Sequence, residues 1–397
     1  MPPSLRVAVI GQGFMGKAHS LGWRRAGELA DSRLHPELTV LCGRDQAALE
    51  RNAALYHFTR TSDRWQDVVG ADDVDLVDIC TPGSTHAEIA LGALSAGKHV
   101  LCEKPLANTL DEARQLAAAA APARRRGIYA MVAFNYRRVP AIASARAFIG
   151  EGRVGRLYHV RAQYLQDWLV DPDFPLAWRL DAGQAGSGAL GDLGAHLVDM
   201  VRHLTGDEFQ EVAAQLETFV TERPIAASAT GLSGQASTGA AKGPVTVDDA
   251  AVVLARLRGG ALVTLEATRM APGRKNALAI EVNGSRGSLR FELERLNELQ
   301  MYETEADTDG FVTRLVTNAT DPYLNQWWPP GHIIGWEHTF VHEFQDLMAA
   351  IADHRQPEPS FEDGLATQAV LDAVSTAASG HAWVSVEPLP APAPGAS

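Results

Sequence analysis

Cysteine is scarce: Cys42, Cys80 and Cys102 are the three thiols in 397 residues, widely separated and each in or beside an apolar run. So few thiols at such spacing build neither a disulfide framework nor a Cys-x-x-Cys metal site, which leaves buried thiols as their reading. Long apolar runs are missing too, and Met1 to Arg6 leads straight into a strand and then into glycines. Neither a signal peptide nor a membrane span is expected, and the sequence predicts a cytoplasmic protein. Positive charge is in deficit, with 35 basic residues against 48 acidic ones and a formal charge of −13. A nucleic acid or an anionic membrane needs a basic stripe on its partner, so neither is expected to bind. No internal repeat is present, and a chain of this length is expected to fold as two domains.

What is present starts with a strand, a glycine turn and a helix. Leu5 to Ile10 is apolar and of strand length; Gly11-Gln12-Gly13-Phe14-Met15-Gly16 follows, and then a helix from Lys17 onward. The glycines permit a tight turn, close approach of the backbone to a pyrophosphate and close helix packing, with the phosphates at the helix N-terminus. In that context the pattern predicts dinucleotide binding by Gly11, Gly13, Phe14, Met15 and Gly16, while His19 and Trp23 read as packing residues. The second strand, Leu38 to Cys42, runs into Gly43, Arg44 and Asp45. Arg44 facing a 2′-phosphate beside Gly43 would make the cofactor NADP, towards which these residues lean. Asp45 on the ribose would make it NAD, with Arg44 a loop arginine.

A third strand, Val74 to Cys80, places Thr81 and Pro82 at another carboxyl end, a natural wall for the nicotinamide. His86, near the start of the next helix, either contacts the cofactor or caps and packs. Val100 to Cys102 then carries Glu103, Lys104 and Pro105 to the edge where open α/β sheets bind ligands. Lys104 there either meets a substrate hydroxyl or is a solvated strand-end lysine; Glu103 serves the cofactor side or the fold. A helix over Leu110 to Arg125 and a strand over Ile128 to Phe134 complete this half.

The fold class expected is therefore α/β. An N-terminal Rossmann doubly wound parallel sheet occupies residues 1–135, and an α+β domain with a large, mostly antiparallel open sheet occupies 136–387. Strands are predicted at 157–168, 211–220, 250–257, 261–268, 278–282 and 288–293, with turns such as Arg258-Gly259-Gly260 and Asn283-Gly284 between them. Residues 225–243, rich in small residues, read as a mobile loop, and 388–397, rich in proline and alanine, as a disordered tail. Trp336, Phe340, Phe344, Leu347 and Ile351 form a helical core stripe, and His338 and His342 read as surface or interface residues.

Chemistry concentrates in Gly186-Ser187-Gly188-Ala189-Leu190-Gly191-Asp192-Leu193-Gly194-Ala195-His196, which opens an apolar helical pattern. Asp192 and His196, four apart, would share one helix face, with Asp199 on roughly the same side. Either Asp192 caps the helix and bonds a core His196, or the pair faces substrate. Oxidising an alcohol with a nicotinamide removes a hydride and a proton from one carbinol: a histidine suits the proton, and a lysine ammonium suits the developing alkoxide without a metal. No zinc-ligand spacing accompanies them, and no metal is expected. Tyr164-Leu165-Gln166-Asp167-Trp168, Trp178-Arg179 and the Trp327 to His332 loop mix aromatic faces with polar groups, as sugar sites do.

Together, Val9-Ile10-Gly11-Gln12-Gly13-Phe14-Met15-Gly16-Lys17-Ala18-His19, Glu103-Lys104-Pro105 and Gly191-Asp192-Leu193-Gly194-Ala195-His196-Leu197-Val198-Asp199 resemble the glucose-fructose oxidoreductase, inositol dehydrogenase and MocA family over nearly the whole chain. The resemblance implies a Rossmann domain, an open-sheet domain that forms homodimers or homotetramers, and a catalytic set of Lys104, Asp192 and His196. Residues 131–138, 164–168 and 178–179 look most like the levoglucosan dehydrogenase-like branch of sugar dehydrogenases. That implies a sugar, anhydrosugar or cyclitol substrate held by Tyr136, Gln166, Trp168 and Arg179 and oxidised at a ring hydroxyl. Where that branch has an acid after its second strand, this chain has Gly43 and Arg44. Two alternatives share the fold: a redox-neutral glycosidase that keeps its NAD, and a dinucleotide sensor without catalysis.

Overall fold

In the computed structural model, which describes residues 2–29, 33–225, 234 and 240–388, the first half is a six-stranded sheet. Its strands are β1 Ser4–Ile10, β2 His35–Cys42, β3 Arg60–Ser62, β4 Leu76–Ile79, β5 His99–Glu103 and β6 Ala130–Ala133. They lie in the order β3-β2-β1-β4-β5-β6, every pairing parallel. The order reverses between β1 and β4, the switch point beside which such sheets hold their ligands. Register aligns the carboxyl ends: Ile10 pairs with both Cys42 and Ile79, and Glu103 with Ala133. Gly11, Gly43 and Lys104 follow directly from that edge, and Thr81 comes one position later, after Cys80. Leu76–Ile79 and Ala130–Ala133 are buried throughout, as strands covered on both faces are.

The second half is a nine-stranded sheet. After β7 Leu157–Leu165 and β8 Phe209–Glu217 comes a separate ribbon of β9 Glu222–Pro224 and β10 Lys242–Pro244. Then follow β11 Ala250–Leu257, β12 Leu262–Thr268, β13 Ala277–Gly284, β14 Gly287–Glu292, β15 Glu298–Glu303, β16 Val312–Leu315 and β17 Val384–Ser385. The order is β16-β15-β14-β13-β7-β12-β11-β8-β17, antiparallel except for β7 with β12. Strand β11 alternates buried and exposed residues, so one face packs and the other is open. The expected loop over 225–243 falls largely outside the described residues, flanked by the β9–β10 ribbon. The proposed tail also lies outside them, apart from residue 388.

Late helices return to the first sheet. Helix His338–Ala352 packs Phe344 against Trp23, with ring centroids 4.3 Å apart. Helix Phe361–Gly380 starts on a capping box of Ser360 and Asp363, and Gly364 leaves room there for Leu106 and Val132. Helix Leu110–Arg125 has the extent read from the sequence, fixed at its start by a second box of Thr109 and Glu112. Among the described residues no helix is long and apolar enough to cross a membrane.

Of the two histidines of helix His338–Ala352, His338 is partly exposed, while His342 differs from expectation. His342 is fully buried: its Nε2 accepts from Trp327 Nε1 at 2.7 Å, its Nδ1 lies 3.0 Å from the Arg138 carbonyl, and its ring stacks on Tyr323. Burial lowers its pKa to about 3. It is a neutral internal brace, and Trp327 spends its indole on it. Asp199 is engaged elsewhere: its carboxylate accepts from two Arg137 nitrogens, at 2.8 and 2.5 Å.

Candidate active site

The glycine turn fits a dinucleotide. Gly11 has φ +116°, and a Cβ there would lie 2.5 Å from the Cys80 carbonyl oxygen, so β1 and β4 are close enough to exclude any side chain. At Gly16 a Cβ would meet the Gly11 carbonyl oxygen at 1.9 Å, whereas at Gly13 it would meet nothing within 4 Å. Helix Phe14–Glu28 therefore begins beside open space, and no side chain caps its first N–H groups. Uncapped donors with the positive end of a helix dipole form an anion site of the pyrophosphate kind. Gln12 fills the space beside Gly43, its Oε1 buried and without a partner. Arg44 and Asp45 are exposed, and Asp45 accepts from the Ala48 N–H to cap the next helix.

His86 is buried, with Nε2 2.9 Å from the Thr81 carbonyl and Nδ1 3.0 Å from that of Pro105, and burial lowers its pKa. It straps the Thr81-Pro82 wall to the segment after Lys104. The Lys104–Pro105 peptide is cis.

Lys104 and Asp192, 88 positions apart in the chain, meet here. The Lys104 ammonium donates to the Asp192 carbonyl at 2.7 Å and to Asp192 Oδ1 at 3.0 Å. Asp192 lies in a π-helical turn, Leu190–Gly194, ahead of helix Ala195–Thr205, rather than capping a regular helix as one reading had it. That turn is anchored by Asp248, whose carboxylate accepts from the Gly188 and Leu190 N–H groups, both at 2.7 Å. Burial alone would raise the Asp192 pKa, but Lys104, Arg269 and Arg179 outweigh it and hold the carboxyl well below its ordinary range. Arg269 Nη1 stands 3.9 Å from Asp192 Oδ2.

His196 is 7% exposed, and its ring makes no hydrogen bond to the described residues. Its walls are aromatic: Tyr136 at 4.6 Å, Tyr164 at 5.9 Å and Phe134 at 6.0 Å between centroids. Burial and then the Lys104 charge push its pKa well below 6.5, with Asp192 opposing, so the imidazole is neutral at physiological pH.

Beside it runs one ordered hydrogen-bond chain. Trp336 Nε1 donates to the Tyr136 hydroxyl at 3.2 Å, and the Tyr136 and Tyr164 hydroxyls lie 2.9 Å apart. Tyr164 donates to Asn276 Oδ1 at 2.7 Å, Gln166 Nε2 donates to the same oxygen at 2.8 Å, and Trp168 Nε1 donates to Gln166 Oε1 at 2.9 Å. Tyr164 has one proton and gives it to Asn276, so Tyr136 donates to Tyr164, and every donor points towards Asn276. Burial raises the Tyr164 pKa well above its ordinary value, which keeps that proton in place. Phe14 of the glycine turn stacks on Trp336 at 5.7 Å, joining the two halves of the site. Arg179 lies over Trp178 at 4.4 Å, and Arg269 over Trp168 at 5.5 Å.

The structure thus brings Lys104, Asp192, His196, Tyr136, Gln166, Trp168 and Arg179 together. Sequence reasoning missed Arg269, Asn276 and Asp248 and placed Trp336 in the core stripe. A signal existed for two of these: Arg269 directly follows β12 and Asn276 directly precedes β13, the neighbours of β7 whose end carries Gln166. His19, read as packing, is buried but polar. Its Nδ1 lies 2.9 Å from Asp78 Oδ2 and its Nε2 3.0 Å from Glu103 Oε1.

A parallel sheet with an uncapped glycine turn and a partly buried Lys-Asp-His constellation at its carboxyl edge define an oxidoreductase with a Rossmann fold. Residues 5–132 match the model of the oxidoreductase family with NAD-binding Rossmann fold, and residues 142–290 match the GFO/IDH/MocA C-terminal domain. The chain belongs to the GFO/IDH/MocA oxidoreductase family. It is 40% identical to levoglucosan dehydrogenase of Pseudarthrobacter phenanthrenivorans over 393 residues, 98% of this chain and 100% of that protein. The crystal structure of an oxidoreductase domain protein from Kribbella flavida is 53% identical, with a TM-score of 0.92 over 98% of this chain and 100% of that one. A complex of levoglucosan dehydrogenase with NADH and levoglucosan is 40% identical, with a TM-score of 0.89 over 96% of this chain and 99% of that one.

Proposed function

We propose that this protein is an NAD-dependent dehydrogenase that oxidises a ring hydroxyl of a pyranose-like sugar or anhydrosugar. The observation that carries the reading is the neutral, unbonded His196 beside the Lys104–Asp192 pair. A bound nicotinamide would supply the acceptor for the hydride of the carbinol carbon. The hydroxyl proton passes to His196, Lys104 Nζ stabilises the oxygen as its charge grows, and Asp192 orients that ammonium. Tyr136, Gln166, Trp168 and Arg179 hold the ring by stacking and hydrogen bonds. Gly11, Gly13, Phe14, Met15 and Gly16 hold the pyrophosphate side; Thr81, Pro82 and His86 wall the nicotinamide side. The NADH in the levoglucosan dehydrogenase complex supports NAD over the NADP that Gly43-Arg44 suggested. Val252, Leu254 and Leu262 on the open face of the second sheet are exposed, and the same reading has a second copy of the chain covering them in a homodimer or homotetramer.

The test is absorbance at 340 nm with levoglucosan, glucose and inositols, using NAD and NADP in turn. Reduction with NAD and an anhydrosugar or sugar is expected, while Arg44→Ala is expected to leave the rate with NAD within about threefold and to weaken any use of NADP. Cleavage of a glycoside without net NADH would show the redox-neutral alternative instead, and no reduction with any polyol would refute the dehydrogenase.

A further inference from the structure

Three buried carboxyls surround His19 behind the site. The ring lies on helix Phe14–Glu28, edged by Phe340 and Phe344 at 5.2 Å each. Asp78 of β4 faces its Nδ1, and Glu103 at the end of β5 faces its Nε2. Asp78 is itself fixed by Trp23 Nε1, which donates to Oδ2 at 2.8 Å. The second Glu103 oxygen, Oε2, accepts the main-chain N–H of Lys104 at 2.9 Å. Cys80 and Glu343 also face the cluster, with Arg138 beyond them.

We propose that His19 is a positioning residue for the reaction: clasped between Asp78 and Glu103, it fixes the Glu103 side chain that holds the Lys104 main chain. The inference rests on the reading that Lys104 serves the alkoxide. Asp78 and Glu103 each present carboxyl oxygens to one ring nitrogen, and an imidazolium, with a proton on both nitrogens, donates to both sides at once. Burial opposes this form, but the neighbouring Asp78 and Cys80 together outweigh it and raise the His19 pKa well above its ordinary value. A neutral ring could satisfy one carboxylate and would release the other. If Glu103 were released, Oε2 would turn from the Lys104 N–H and the ammonium would lose its fixed origin. Because His19 rides on the helix whose N-terminus receives the pyrophosphate, it ties the cofactor helix to the catalytic strand through side chains alone.

The experiment compares His19→Leu, His19→Gln, Glu103→Gln, Lys104→Ala and the His19→Leu/Lys104→Ala double variant in the full chain. It reads kcat and KM for levoglucosan at saturating NAD, the NAD Kd from tryptophan fluorescence, and Tm. His19→Leu is expected to lower kcat about 30- to 100-fold, the scale of a small misplacement of a catalytic group, with NAD Kd and sugar KM within about threefold. His19→Gln, whose amide donates to one carboxylate, recovers about a third or more of the lost log-rate, and Glu103→Gln, whose single amide oxygen cannot serve both partners, falls about tenfold. In the double variant His19→Leu adds nothing to Lys104→Ala; a merely structural role would add its full cost there. His19→Leu within about threefold of the unmodified protein, while Lys104→Ala falls by about 100-fold or more, overturns the inference alone. If His19→Leu does not fold, unchanged kcat in both His19→Gln and Glu103→Gln overturns it equally. Lys104→Ala that keeps its kcat overturns instead the function assigned to Lys104.

Discussion

Replacing Asp192 by asparagine tests the centre of the site, because it removes one charge and almost no volume. Lys104 Nζ stands 3.0 Å from the carboxylate and Arg269 Nη1 stands 3.9 Å away. At an effective dielectric constant of about 20 those separations correspond to gross attractions of about 5.5 and 4.3 kcal/mol. Desolvation offsets much of this, and removing one partner of a buried pair costs about 3–5 kcal/mol net. The Lys104 and Asp192 side chains keep 15% and 28% of their exposure, so water screens the pair. The expected stability loss is therefore smaller, about 2–3 kcal/mol. The Asp192 carbonyl still accepts from Lys104 at 2.7 Å, so the ammonium stays in the site without its orienting charge. Turnover is expected to fall about 100-fold, the equivalent of about 2.7 kcal/mol, with the NAD Kd unchanged. Steady-state rates at 340 nm, a fluorescence titration with NAD and a denaturant melt measure the three quantities. A kcat within about threefold of the unmodified protein, with an unchanged melt, would refute the assignment of Asp192.

Two further substitutions probe the scaffold. A Cβ on Gly188 would lie 1.8 Å from the Asp248 carbonyl oxygen, so Gly188→Ala must displace the carboxylate anchor of the Asp192 turn. A destabilisation of about 3 kcal/mol or more, with loss of turnover, is expected from thermal melts and rates. Glu343 is fully buried, neither oxygen has a partner, and burial pushes its pKa from 4.5 up to about 8. The folded state keeps this proton where the unfolded chain releases it. The stability tied to Glu343 is therefore complete below pH 4.5 and is lost as pH rises to about 8. Glu343→Gln removes that dependence and should exceed the unmodified protein by roughly 2–4 kcal/mol at pH 9 while losing its advantage near pH 5. Parallel pH–melting curves would refute the assignment.

Much of the first sheet was legible because its signals are local. Apolar runs of strand length ending in glycine or in Thr-Pro give β1, β2 and β4, and helix Leu110–Arg125 carries its own capping box. Edge strands such as β3, β16 and β17 escaped, because Arg60–Ser62, Val312–Leu315 and Val384–Ser385 are only two to four residues long and are held by pairing with neighbours. His342 was misread because helical spacing says nothing about what packs over a face, here Trp327 and Tyr323.

The sequence by itself determined the parallel sheet, the glycine turn and the residue types capable of hydride and proton chemistry, since each depends on neighbours a few positions away. Only the tertiary structure decided that Lys104 lies against Asp192, that Arg269 and Asn276 complete the site, that Asp199 belongs to Arg137, and that His19 bridges two carboxylates. Those facts follow from register between distant strands and from charges that burial forces to find partners, and neither register nor burial is written in local spacing.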